Sequence, residues 1–207
     1  MAPPCSPRCW WADTLTPPGG RNATRRDWSR LGASRAEHGR LGACQVNASV
    51  NGITLRRATS RDARAILECH HSAVHEIACN DYPAPTLNEW SPQLTPERVN
   101  SYSPHDTTLV AEIASGTIVG FGELIASNNE LRALYVSAYA GGLGVGSAIL
   151  QELEHIARAA GCPSLTFNSS ITAEPFYLRH GYSVVSRGEH TLSSGGTMAC
   201  VTLTKQL

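Results

Sequence analysis

Between Leu131 and Leu150 an apolar strand pattern, LRALYV, runs through a turn with four glycines, Gly141, Gly142, Gly144 and Gly146, into an apolar stripe at helical spacing. Ile149, Leu150, Leu153, Ile156 and Ala157 fall on one helical face, and Gly161 with Pro163 just beyond it ends the helix. A strand feeding a helix through such a turn makes an anion site, because unpaired N–H groups and the positive end of the helix dipole converge there. Two familiar anions are excluded by spacing. A dinucleotide fingerprint places Ser147 or Ile149 where Gly or Ala is required, and a phosphate loop places Ser147 where its lysine must be.

The pattern around this unit predicts a single α/β domain. A strand over 53–58 precedes a helix from Arg61 to about Ala78 with Ser60 as its cap, and Thr95 followed by Pro96 opens a second, short helix. Residues 107–115 and 117–127 read as a hairpin about Gly116, and Asn128 and Asn129 turn the chain into the strand over 131–136. After the glycine helix come a strand over 164–169 and a short helix capped by Thr172 and stopped by Gly181. Strands over 182–187 and 197–204 close the pattern.

Composition narrows the function. The 17 basic and 17 acidic residues leave no net charge, so the broad basic field of a nucleic-acid binder is missing. No apolar run is long enough for a membrane span. Lys205 is the only lysine beside sixteen arginines, which fits a GC-rich, bacterial coding bias and excludes an internal Schiff-base or phosphate-loop lysine. Seven cysteines (Cys5, Cys9, Cys44, Cys69, Cys79, Cys162 and Cys200) form no CxxC pair, as expected of a reduced cytoplasmic set without metal. Residues 1–50 carry seven arginines against three acids, with many prolines and no period, and read as a disordered or non-native extension with the true start near Val46 or Val50. The domain is then residues 51–207, with ten basic and fourteen acidic residues.

Two motifs carry a resemblance. LYVSAYAGGLGVGSAIL (134–150) resembles the acyl-CoA loop of the GNAT superfamily of N-acetyltransferases, and SSITAEPFYLRHGY (169–182) resembles its distal signature. The likeness spans about residues 53–205 in element order. It implies a mixed, mostly antiparallel central sheet of six to seven strands with about four flanking helices, and acetyl-CoA as co-substrate. It further implies that Leu134, Tyr135 and Val136 hold pantetheine and the thioester, that Gly141, Gly142, Leu143, Gly144, Val145, Gly146 and Ser147 bind the diphosphate, and that Ser170 contacts the pantetheine arm. Tyr177 would protonate the departing thiolate. The chain departs from the pattern at Gly141, where the family usually has Arg or Gln, at Ala138 for Pro, at Ser170 for Asn and at Tyr182 for Phe.

The acceptor side is less determined. A neutral amine must attack, so a base is expected. Glu123 in GFGEL is the first candidate and Glu130 the second, although a strand glutamate needs no function. His70, Tyr82 and Trp90 are candidate walls of the acceptor pocket, with core packing the alternative. His71 and His75 have metal-compatible spacing but no third ligand. The expected activity is acetyl transfer to a primary amine of a small molecule by direct attack in a ternary complex. The alternatives are a non-catalytic acyl-CoA-binding or regulatory module, and an acetyltransferase acting on protein N-termini or lysines. A homodimer through the sheet is an open alternative to a monomer.

Overall fold

The computed structural model describes residues 48–50, 52–102, 104 and 107–207. The expected extension, apart from 48–50, lies outside the described residues. Residues 48–50 form strand β1, which pairs with β2 (Ile53–Arg57), so the sheet begins before the expected boundary at 51. Strands β3 (Thr108–Ile113), β4 (Ile118–Ile125) and β5 (Glu130–Val136) continue an antiparallel sheet in the order β1-β2-β3-β4-β5. A second sheet has the order β6-β8-β7, from β6 (Ser164–Ser170), β7 (Ser183–Thr191) and β8 (Thr197–Gln206).

Helix α4 (Val145–Ala159) crosses between the sheets and packs on one face of the first, with Ile149, Leu150 and Leu153 fully buried against Leu109, Leu124 and Leu131. Gly120 and Gly122 in β4 permit this closeness. A Cβ on Gly122 would stand 2.7 Å from Ile149 Cγ2 and Leu153 Cδ1. Helix α1 (Ala63–Ser72) covers the opposite face through Ile66, Leu67 and Cys69 on Val110, Phe121 and Ala133. With both faces covered, β4 is apolar almost throughout rather than alternating.

The expected helix over 61–78 differs in detail. Thr59, not Ser60, opens the helical segment: its N–H and hydroxyl both donate to Asp62 Oδ2, at 2.7 and 3.0 Å, while Arg56 holds the same carboxylate at 2.8 Å. After Ser72 the helix widens into a π turn, Ala73–Ile77, and tightens into a 3-10 turn, Ala78–Asn80. One helical stripe could not show this, because Val74 still falls in register while the backbone hydrogen bonds change. Helix α2 (Ala84–Trp90) was not expected, and α3 (Pro96–Ser101) begins at Thr95, whose hydroxyl accepts from Arg98 N. Helix α5 (Glu174–Arg179) starts after Ala173. Thr172, the expected cap, instead donates to Asp81 Oδ2 at 2.7 Å. Among the described residues, eight strands and five α-helices thus bear out the expected fold class, with the sheet split in two.

Among the described residues, no helix is long and apolar enough to cross a membrane.

Candidate active site

The two sheets meet along β5 and β6, which run in the same direction from a shared start, where Thr166 N donates to Asn129 O at 3.0 Å. Beyond it they splay. Ser137 N bonds Val119 O, and Tyr135 O lies toward Gly120, so these residues turn their peptide groups to β4. By strand alternation Leu134 and Val136 turn theirs the other way, into the opening. A cleft of about 440 Å³ fills the splay, bounded by these strand residues, the glycine turn, Ser170 of β6 and α5.

The turn presents its amides to the cleft. Gly142 and Gly144 sit at φ +77° and +82°, a conformation that glycine adopts without a Cβ clash. Gly144 is the N-cap of α4, and Ala148 N to Gly144 O is the first bond of the helix, leaving the amides of Val145, Gly146 and Ser147 without an intrahelical acceptor. At Gly146 a Cβ would meet the Phe176 ring at 3.3 Å, so the bare backbone is what fits between turn and α5. Gly141 lines the cleft at φ −59°, whereas Leu143 is 65% exposed and stands outside its wall.

Tyr177 of α5 is buried in an aromatic cluster, its ring 4.8 Å from Phe167, 5.1 Å from Phe176 and 5.6 Å from Tyr182. Its hydroxyl has no hydrogen-bond partner among the described residues, and it borders the cleft. Burial pushes its pKa upward, so the phenol keeps its proton at neutral pH. Ser170 Oγ accepts from Ala173 N at 3.2 Å, which leaves its own proton to donate.

The sequence did not mark Arg179 and His180 as wall residues. Arg179 lines the cleft, and His180 bridges turn and helix, with Nδ1 donating to Phe176 O at 2.8 Å and Nε2 facing Ser147 Oγ at 2.9 Å. A neutral imidazole with Nδ1–H fixed this way accepts from the Ser147 hydroxyl. Arg179 lies two residues past Tyr177 in the second motif, the one sequence signal that could have marked it. Among the described residues no Asp or Glu lines the cleft, which favours an anionic guest.

On the acceptor side Trp90 reaches the wall with Ala73, Ile77 and Ala78 of the widened helix. Tyr135 shares it, its ring stacked on Phe121 at 5.4 Å and its hydroxyl accepting from Trp90 Nε1 at 3.3 Å. His70 and Tyr82 do not reach the wall. His70 is fully buried behind Tyr135, with its rings 4.5 Å apart, and Tyr82 spends its hydroxyl on Ala199 O (2.7 Å) and Ile171 N (2.8 Å), tying α2 to the second sheet. Glu123, the first candidate base, is 2% exposed and accepts from Tyr102 Oη at 3.0 Å and Thr108 Oγ1 at 3.3 Å. It is not part of the cleft's wall, although the pairing of β4 with β5 puts it on the same sheet face as Phe121 and Tyr135. Glu130, at the start of β5, also lies outside the wall. His71 and His75 stack with ring centroids 4.1 Å apart, and no cluster of three or more His, Cys, Asp or Glu suited to a metal occurs among the described residues.

A splayed pair of strands, an amide cradle at a helix N-terminus and an unpaired buried phenol define the class of acyl-CoA-dependent acyltransferases. The chain belongs to the GNAT acetyltransferase family: the sequence model of the Acetyltransferase (GNAT) domain matches residues 78–198. Among solved structures, a GCN5-related N-acetyltransferase from Rhodopseudomonas palustris superposes with a TM-score of 0.70 at 25% identity, over 77% of this chain and 99% of that one. A GCN5-related N-acetyltransferase from Kribbella flavida gives 0.56 at 22% identity, covering 77% and 100%. The PaiA N-acetyltransferase of Thermoplasma acidophilum, solved with coenzyme A, gives 0.56 at 18% identity, covering 75% and 99%. No curated protein sequence matches this chain.

Proposed function

We propose that the protein transfers the acetyl group of acetyl-CoA to a primary amine of a small molecule by direct attack in a ternary complex. The observation that carries this reading is the Tyr177 hydroxyl, unpaired and protonated beside the opening of β5 and β6. When bound, acetyl-CoA supplies the thioester. The amides of Val145, Gly146 and Ser147 hold its diphosphate at the helix N-terminus, with Arg179 adding charge in place of the side chain that Gly141 lacks. The amides of Leu134 and Val136, fixed by the pairing of β5 with β4, hold pantetheine and polarise the carbonyl without reorganising. Ser170 donates to the pantetheine arm.

Tyr177 protonates the leaving sulfur. Because no carboxylate among the described residues lines the cleft and Glu123 is committed to Tyr102 and Thr108, the amine proton passes to water. The experiment is CoA-thiol release across an amine panel, with the acetylated product identified by mass spectrometry. Saturable CoA binding without turnover of any amine would instead favour the binding-module alternative.

A further inference from the structure

A small recess opens between β5 and β6 on the Trp90 side of the cleft, sharing Leu134, Ser170 and Tyr177 with it. Arg132 lines this recess. The partners of β4 jump from Ala133 to Leu131, so Arg132 is the extra residue of a β-bulge, a device that re-aims a side chain out of the strand's alternation. Its Nε is buried without a hydrogen-bond partner, and Arg132 makes no ion pair among the described residues. An arginine that lines a cavity and has no acid for a partner among the described residues suits an anion from outside the chain.

Resting on the acetyl-transfer reading, we infer that Arg132 anchors a carboxylate of the acceptor, so that the amine acetylated is a free α-amino acid with an apolar side chain. The recess holds about 30 Å³ for water-sized centres, room for a carboxylate group. Arginine binds a carboxylate through two parallel N–H bonds, a geometry the terminal guanidinium nitrogens supply. Arg132 stands two residues before Leu134, about 6 Å along the strand, a gap that the arginine side chain and a short amino acid bridge together. The wall beyond, Trp90 with Ala73, Ile77 and Ala78, is apolar and suits an aliphatic or aromatic side chain.

The test compares L-leucine, L-phenylalanine and L-methionine with their amides and their decarboxylated amines, using the full chain and acetyl-CoA. At least one amino acid is expected to exceed its amide in kcat/KM by about tenfold or more. Arg132→Gln should lower that ratio about 10- to 100-fold, the loss being in KM, and Arg132→Lys should restore part of it. Amides and amines acetylated as well as the acids, or Arg132→Gln lowering all three classes alike, would overturn this inference and leave the acetyl-transfer reading standing. Failure of every compound to release CoA thiol would remove both.

Discussion

Substituting alanine for Gly122 tests how the cleft is kept in shape. The new Cβ would lie 2.7 Å from both Ile149 Cγ2 and Leu153 Cδ1 and 3.2 Å from Ala133 O, against roughly 3.5–4.0 Å for relaxed carbon contacts. Both neighbours are fully buried on α4, so the helix carrying the amide cradle must move about 1 Å off the sheet. Overpacking of this kind costs about 1–3 kcal/mol. Removing a glycine from a strand interior returns about 0.5–1 kcal/mol, leaving a net loss of about 1 kcal/mol at mid-range and at most about 2.5 kcal/mol. At about 2–4 °C per kcal/mol for a domain of this size, thermal unfolding should shift down by about 2–4 °C, and at most about 10 °C. CoA affinity should weaken with it. Gly188→Ala, where a Cβ meets nothing within 4 Å, serves as control and should melt at or slightly above the parent. If Gly122→Ala melted at or above the parent, the close seating of α4 on β4 would be refuted.

Tyr177→Phe should lower kcat on the order of 100-fold with KM and melting temperature nearly unchanged, since the hydroxyl makes no bond that folding loses; a kcat within threefold of the parent in the thiol-release assay would remove its acid role. Without a base in the cleft, kcat/KM should climb with pH toward the pKa of the free amine, and a plateau near pH 7 that Glu123→Gln abolishes would reinstate that glutamate. Stability should fall in acid. Burial lowers the His70 pKa from 6.5 to about 3, so the unfolded chain takes up its proton first. Stability is therefore full above pH 6.5 and drains away toward pH 3, at about 1.4 kcal/mol per pH unit for one proton. His71 and His190 shift in the same direction, and Asp62, held down to about 2 by Arg56, adds a loss below pH 3.8. Urea midpoints from pH 7.5 to 4.5 check this, and His70→Gln should flatten the slope by about one proton's worth.

The donor half of the site was legible because its chemistry is local. Gly142, Gly144 and Gly146 stand in one turn with the helix stripe following at once, which marks an anion site, and the resemblance to the GNAT motifs, with Tyr177 at its distance from Gly181, supplies the rest. The wall on the Trp90 side is assembled from the turns after α1 and from α2, with the bulge in β5 beside it, and nothing local marks which side of each faces in. Glu123 sits in a strand buried on both faces, which conceals whether an acid points to cleft or core. His70 lies on the apolar stripe, yet Tyr135 stands between it and the opening. Tyr82 is an interface staple that only the register of β8 could show. The bulge at Arg132 comes from a mismatch between β4 and β5, a property of the pair that neither strand carries alone.

The central claim is that bare amides at the start of α4 hold the diphosphate of coenzyme A. The most direct measurement follows the backbone N–H resonances of Val145, Gly146 and Ser147 by NMR during titration with CoA. The account predicts large, saturable shifts of these three together, with Leu134 and Val136 following along β5. Absence of saturable movement at these amides up to millimolar CoA would contradict it.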